Sequence, residues 1–338
     1  MRTSIKYLCY LLAIGLVLLF ASALDLEVLV EHYHKMGWHF YGVLAISLIA
    51  YSFATLGWLL CIDQLITWSR FKDYFLARLI GESFSVINPT GILAGDALKI
   101  HLLGKKGESR SKVLESVTVS RVLLWVSFVL VLILVLLLFS SGKINSLILF
   151  LGFSVALLGC ALLLLVLLFH PRAYIHKAFK GLHNFLKAKW LASRIEAIQS
   201  YNANTILIWK NHRSKLMIAI TIFSLHYLLG GLEFQYILWS LDVPISFSTA
   251  VYLEVATSFL RSVMAFIPGQ VGIEEYGNKY FLSMLGIKDE NIWITVSIIR
   301  RLRQVLWLIL AGVAYFWYFN PQKAQIKNKK SLYGSFIH

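Results

Sequence analysis

Apolar residues along this chain fall into long blocks separated by short polar stretches, most of them basic. A hydrocarbon core of ~30 Å is crossed by ~20 residues of helix. Six blocks reach that length: residues 5–24, 40–62, 117–139, 144–169, 216–240 and 291–319. Two more, 75–103 and 248–286, are apolar but broken by proline, glycine and charge. The pattern predicts an all-α, polytopic membrane protein with about six full spans and two interrupted segments. Block 5–24 follows Arg2 and includes Lys6, and it contains Ala21-Ser22-Ala23, a small-residue pattern compatible with signal cleavage. Its length favours an uncleaved first span.

Composition agrees with the blocks. Hydrophobic residues make up 58% of the 338 positions and charged residues only 14%, against ~45–50% and ~25% in soluble chains. So few charges do not cover a globular surface, which argues against soluble, disordered and fibrous classes. The net charge of +15 fits cytoplasmic loops beside anionic lipid better than it fits nucleic-acid binding. Cys9, Cys61 and Cys160 lie in apolar runs and read as small buried hydrophobes, not as a disulfide framework or zinc site.

The basic residues also set orientation. Arg2 and Lys6, Arg70 and Lys72, and the group Lys105, Lys106, Arg110 and Lys112 all belong inside. Segment 75–103 then enters and leaves from the cytoplasmic side, as a re-entrant hairpin or a pair of short spans. Residues 170–215 carry nine Lys and Arg against Glu196 alone, and the tail carries Lys323, Lys327, Lys329 and Lys330. Both are assigned to the cytoplasm, with both chain termini. The turns at Asp242 and at Lys288-Asp289-Glu290 fall outside, so 248–286 becomes a second hairpin of opposite orientation. In the basic middle segment, Ile175, Phe179, Leu182 and Leu186 recur at helical spacing among lysines. This suits an amphipathic helix on the inner leaflet, either recruiting anionic headgroups or simply connecting the halves.

The two broken segments resemble each other. Pro89 and Pro268 are 179 residues apart, and the same offset carries Asp96 onto Glu275, Gly107 onto Gly286, Arg121 onto Arg300 and Glu82 onto Arg261. The chain therefore reads as one integral membrane domain over 1–338. Repeat one covers about 40–139, a cytoplasmic linker 170–215, repeat two about 216–319 and a basic tail 320–338. The repeats are expected to have inverted topology. Pro89, Gly91, Gly95, Pro268, Gly269 and Gly272 are the expected hairpin breaks. Broken helices free backbone groups that lipid cannot satisfy, and paired breaks in two halves point to a substrate site near the midplane.

Charges inside apolar blocks need a reason, since each costs at least ~2.5–3.5 kcal/mol on insertion scales. They are Glu82, Asp96, Arg121, Glu233, Glu254, Arg261, Glu274, Glu275, Arg300, Arg301 and Arg303. Arg300, Arg301 and Arg121 are the candidate phosphate ligands, because guanidinium is a fork of donors. Asp96, Glu274, Glu275, Glu82 and Arg261 complete the candidate substrate site, the acids pairing with the arginines when it is empty. Structural pairing that pins the hairpins is the competing role. His226 and Glu233 share a helix face and suit a polar pair or a proton relay. Glu31, His32, His34 and His39 lack regular ligand spacing, so no metal is expected. No nucleotide-binding motif is present, and no cofactor is expected.

On these residues the sequence resembles a known family. Residues 266–275, Phe-Ile-Pro-Gly-Gln-Val-Gly-Ile-Glu-Glu, running on to Leu285-Gly286, look like the signature of the lysylphosphatidylglycerol synthase transmembrane-region family. This is the flippase-like membrane domain of the multiple peptide resistance factors. Residues 88–99 are similar to that family's Gly-Asp-basic element, with Lys99 where Arg is common. Arg300 or Arg301 matches its arginine in the last long helix. The doubled acid Glu274-Glu275 departs from a single Glu, and either residue fits. The resemblance implies lipid traffic between leaflets or an adjunct role in lipid or glycan pathways. With only a short tail after Phe319, aminoacyl-transfer activity is not carried over.

The expectation is a lipid translocase of the bacterial inner membrane, handling an anionic or modified phospholipid or a polyprenyl-phosphate lipid. It is not expected to be an enzyme, since neither a His-rich metal cluster nor a nucleophile–base pair is apparent. The alternatives are a non-catalytic partner of a lipid- or glycan-modifying enzyme, or a membrane-embedded lipid transferase. A second copy of the chain is a further candidate partner, and nucleic acid is not.

Overall fold

The computed structural model describes residues 36–62, 64–88, 91–138, 213–264, 270 and 272–319. The predicted spans 5–24 and 144–169, most of the basic linker, the tail, and Pro89, Pro268 and Gly269 lie outside the described residues. Eight α-helices are described: α1 (His39–Leu60), α2 (Trp68–Ile87), α3 (Ile92–Lys105), α4 (Arg110–Leu138), α5 (Arg213–Trp239), α6 (Phe247–Val263), α7 (Ile273–Met284) and α8 (Glu290–Ala314). A π-helical turn, Tyr315–Phe319, extends α8. The bounds of α1, α4, α5 and α8 agree with the predicted spans within a few residues, except that α4 begins seven residues earlier, at Arg110. Among the described residues, four stretches are long and apolar enough to cross a membrane: His39–Leu60, Arg110–Val135, Arg213–Trp239 and Glu290–Phe319.

Between these long helices stand two helix–break–helix units. In the first, Gly81 on α2 faces Gly95 and Lys99 on α3, and Ser85 faces Gly95. A side chain at Gly95 would run into the Ser85 hydroxyl and the Gly81 carbonyl. Gly95 is therefore not part of the break. It lies inside α3 and lets two antiparallel helices approach at backbone distance. The break itself falls at Gly91, which caps α3 with φ 53° and ψ −125°, a combination that a Cβ disfavours. In the second unit Gly277 on α7 faces Thr257 and Leu260 on α6, again antiparallel. Gly272 caps α7 in the left-handed region.

The two halves share element bounds at a constant offset. α1 and α5 end at Leu60 and Trp239, α2 and α6 start at Trp68 and Phe247, and α3 and α7 end at Lys105 and Met284. Each pair is 179 residues apart. The caps recur with them. Thr67 Oγ1 accepts from the Arg70 amide and Ser246 Oγ from the Thr249 amide, each satisfying one orphan donor of its helix. Gly107 and Gly286 adopt φ 92° and 89°. Just beyond them, the Glu108 and Ile287 amides return to the Leu103 and Leu282 carbonyls, a C-terminal closure that needs a left-handed residue. Even the break agrees, since Gly91 and Gln270 have φ 53° and 50°.

Equivalent helices α1 and α5 form the most extensive contact and run antiparallel. Gly42 meets Tyr236 and Gly57 meets Phe223. Midway, His226 Nδ1 lies 3.0 Å from the Ala50 carbonyl oxygen. Two equivalent antiparallel helices are related by a half-turn about an axis perpendicular to them. Around this pair, apolar clusters hold each hairpin in place: Trp58, Tyr74, Leu102 and Leu103 pack about the first, and Phe234, Leu253, Leu282 and Ile299 about the second.

Candidate functional site: a charged cavity between the hairpin tips

A cavity of about 340 Å³ opens where the two breaks approach each other. The equivalent residues Gly91 and Gln270 both line it. So do the central turns of all four long helices: Ala50 and Tyr51 of α1, Arg121 and Leu124 of α4, His226 to Glu233 of α5, and Arg300 to Leu308 of α8. The lining holds five arginines, Arg78, Arg121, Arg261, Arg300 and Arg303, against the glutamates Glu82, Glu233 and Glu254.

Each half contributes an ion-pair network. In the first, Arg121 grips Asp96 as a fork, Nε to Oδ2 at 3.1 Å and Nη2 to Oδ1 at 2.8 Å. Lys99 Nζ lies 3.0 Å from Asp96 and 3.6 Å from Glu82, and Arg78 Nη2 lies 2.9 Å from Glu82. In the second half Arg301 repeats the fork on Glu275, Nε to Oε1 at 2.8 Å and Nη2 to Oε2 at 3.1 Å. Arg300 binds two acids, with Nε on Glu274 at 2.8 Å and Nη1 and Nη2 on Glu254 at 3.0 and 3.1 Å. Arg261 reaches Glu254 and Ser258 through Nη2. Arg303 Nη1 donates to Glu233.

These contacts redraw the sequence-derived site. The constant offset carries Arg121 onto Arg300, but the repeated fork makes Arg301 its counterpart and Glu275 the counterpart of Asp96. The reason is a single residue inserted before the last helix: Ser109 precedes α4 and Asp289 caps α8, 180 residues apart. Four of the expected site residues, Glu82, Arg121, Arg261 and Arg300, line the cavity. The other four, Asp96, Glu274, Glu275 and Arg301, stand behind its wall and hold the wall's arginines or hairpin ends. Arg300 touches the cavity yet is only 1% exposed, with every nitrogen engaged and its guanidinium 4.1 Å from the Phe234 ring centre. It is a structural cross-link more than a free ligand. Of the five lining arginines, those with accessible side chains are Arg121, Arg261 and Arg303, at 28%, 24% and 17%.

Sequence reasoning missed Arg78, which sits in α2 near Arg70 and Lys72 and was not separated from those loop charges. A helical spacing of four from Glu82 was the available signal. His226 and Glu233 share the cavity face but do not bond to each other. His226 meets the Ala50 carbonyl, while Glu233 pairs with Arg303. Of the His group weighed as a metal site, His39 alone is described, and it packs against Tyr236 and Trp239.

Long apolar helices, two antiparallel helix–break–helix units and a buried arginine-rich cavity define a multi-pass integral membrane protein with an internal pseudo-two-fold. Residues 8–312 match the family described as the lysylphosphatidylglycerol synthase TM region, and the chain belongs to that family. No curated protein and no solved structure matches the chain significantly.

Proposed function

We propose that this protein moves a phosphate-bearing lipid between the leaflets of the bacterial inner membrane. The observation that carries the reading is the place of the cavity: it opens at the middle turns of all four apolar helices, between the two hairpin tips, and is lined by five arginines. Arginine at that depth has to be paired or to face a polar ligand, and its donor fork suits phosphate. Polar sites at paired helix breaks between inverted repeats are the usual design of alternating-access transporters.

The second arm of each unit supports re-entrance by its length. α3 has 14 residues and α7 has 12, so at ~1.5 Å per residue they reach only ~21 and ~18 Å, short of a ~30 Å core. The hairpins would enter from opposite sides and meet at the cavity, with both chain termini in the cytoplasm. Exposed aromatic residues mark the two expected interfaces. Trp38, Tyr41 and Trp239 cluster at one end of the α1–α5 pair, and Trp68 and Trp317 lie toward the other end, as interfacial belts require. Rocking of the halves about the α1–α5 contact would expose Arg121, Arg261 and Arg303 to each leaflet in turn. Anionic phospholipids and polyprenyl phosphates share the required headgroup chemistry.

The test is leaflet exchange in proteoliposomes. Labelled phosphatidylglycerol, its aminoacylated form, phosphatidylethanolamine and a polyprenyl phosphate would be compared. Arg121→Ala and Arg303→Ala each remove a charge-assisted contact worth ~1.5–3 kcal/mol, so exchange should slow by roughly tenfold or more. Exchange of no lipid by well-folded protein would favour a non-catalytic partner of a lipid- or glycan-modifying enzyme.

A further inference from the structure

The ion pairs around the cavity are not equally complete. Arg121 is held by a two-point fork and Arg300 by two carboxylates. Among the described residues, Arg303 is held by Glu233 through Nη1 alone, and its Nε is buried without a hydrogen-bond partner. Glu233 mirrors this. It is 2% exposed, Oε2 accepts from Arg303, and Oε1 is buried with no partner. Both residues line the cavity, one on α5 and one on α8. A single pair thus leaves one unsatisfied donor and one unsatisfied acceptor at the same wall, although buried polar atoms are as a rule satisfied.

From this we infer that Arg303–Glu233 is an exchange pair: a lipid phosphodiester displaces Glu233 from Arg303, and Glu233 takes up one proton from water in the cavity. The inference rests on the phosphate-lipid reading and adds its coupling to protons. The guanidinium turns its Nε–H and Nη2–H edge to two phosphate oxygens, the edge that Arg121 and Arg301 turn to their carboxylates. No covalent bond to carbon or phosphorus forms or breaks. The ligand brings one negative charge and the proton one positive charge, so the charge of the wall is unchanged. Release runs the steps backwards and returns the proton.

The surroundings explain why Glu233 has to protonate once Arg303 leaves it. From α8 it also faces Arg300, but that guanidinium is already engaged by Glu254 and Glu274. From α6 the cavity wall presents Glu254 and Arg261, which are bonded to each other. From α1 it presents Tyr51. Across the space Arg78 is paired with Glu82 on α2, and Arg121 of α4 with Asp96. On its own helix His226 is turned to the Ala50 carbonyl. Each of these cations already holds another carboxylate, so a Glu233 released from Arg303 has no cation bonded to it, and the proton supplies the compensation that a buried carboxylate needs.

The probe is dihexanoyl phosphatidylglycerol, a soluble phosphodiester with no group titrating near neutrality, added to the detergent-purified full chain. Calorimetry in two buffers of different ionisation enthalpy counts the protons taken up. The wild type should take up about one proton per lipid, and its affinity should weaken by about tenfold per pH unit as pH rises. Glu233→Gln keeps an acceptor for Arg303 but holds no proton, so it should bind with no uptake and no pH slope. Binding by the wild type without uptake, or uptake that survives in Glu233→Gln, overturns the inference and leaves the lipid reading standing. Should the variant fail to fold, the proton count and pH slope of the wild type decide alone. Absence of any phosphate-lipid binding by the wild type overturns the reading and the inference together.

Discussion

Arg300 spans three elements: α8 carries it, and its nitrogens reach Glu274 at the start of α7 and Glu254 in the middle of α6. Removing it strands two buried carboxylates. Arg300→Ala should therefore lower stability by roughly 3–5 kcal/mol, the range for breaking one side of a buried pair. The check is a thermal melt in detergent, with Glu254→Gln/Glu274→Gln added to the alanine variant. Recovery of part of the loss is expected, and an unchanged melt for Arg300→Ala would remove the cross-link role. Gly91 makes a second residue-scale test. It is buried at the hairpin tip with φ 53° and ψ −125°. Gly91→Ala forces a side chain into backbone angles that L-residues avoid, at a cost of about 1–3 kcal/mol. A melting temperature equal to wild type would show that the tip relaxes. Sequence alone marked both residues as unusual. It did not show which was a ligand and which a brace, because the partners of Arg300 lie 26 and 46 positions away.

At the scale of elements, the antiparallel α1–α5 contact depends on glycine. A Cβ at Gly57 would stand 2.6 Å from the Phe223 ring, and one at Gly42 2.5 Å from the Tyr236 hydroxyl oxygen. Small residues are what allow helices to pack closely in lipid, where no hydrophobic force drives them together. Gly57→Leu should overpack the contact by about 1–3 kcal/mol. Phe223→Ala in the same chain should return part of that stability, read as the unfolding midpoint in a denaturing detergent series. Independent, additive losses would place the two residues in separate environments. The long helices were legible from their apolar blocks, within a few residues at most ends. Gly95 was assigned to the wrong role, since a glycine in a broken segment reads the same whether it bends a chain or admits a neighbour. Only the position of Ser85 and Gly81 against it separates the two.

For the whole molecule, opposite orientation of the halves is the claim with the widest consequences. Glu108 and Lys288 sit in equivalent loops, each one residue before the N-cap position of the following long helix. The proposed inverted arrangement would place them on opposite sides of the membrane. In a cysteine-free background, a membrane-impermeant thiol reagent applied to intact cells should label Lys288→Cys and spare Glu108→Cys until the cells are opened. Equal labelling of both from outside would contradict the inverted arrangement. The amino-acid sequence by itself determined membrane residence and the long helices, because burial in lipid demands uninterrupted apolar length. It also exposed the repeat, because Pro89 and Pro268, Gly107 and Gly286, and the charges Asp96 and Glu275 recur at one offset. Tertiary structure alone decided which charges meet. Ion pairs form across helices, and the one-residue insertion before α8 moved the Asp96–Arg121 fork onto Glu275 and Arg301, which freed Arg300 to bind a different pair of acids. The cavity is likewise tertiary: its wall is drawn from six separate helices and both hairpin tips, and no stretch of sequence holds more than a part of it.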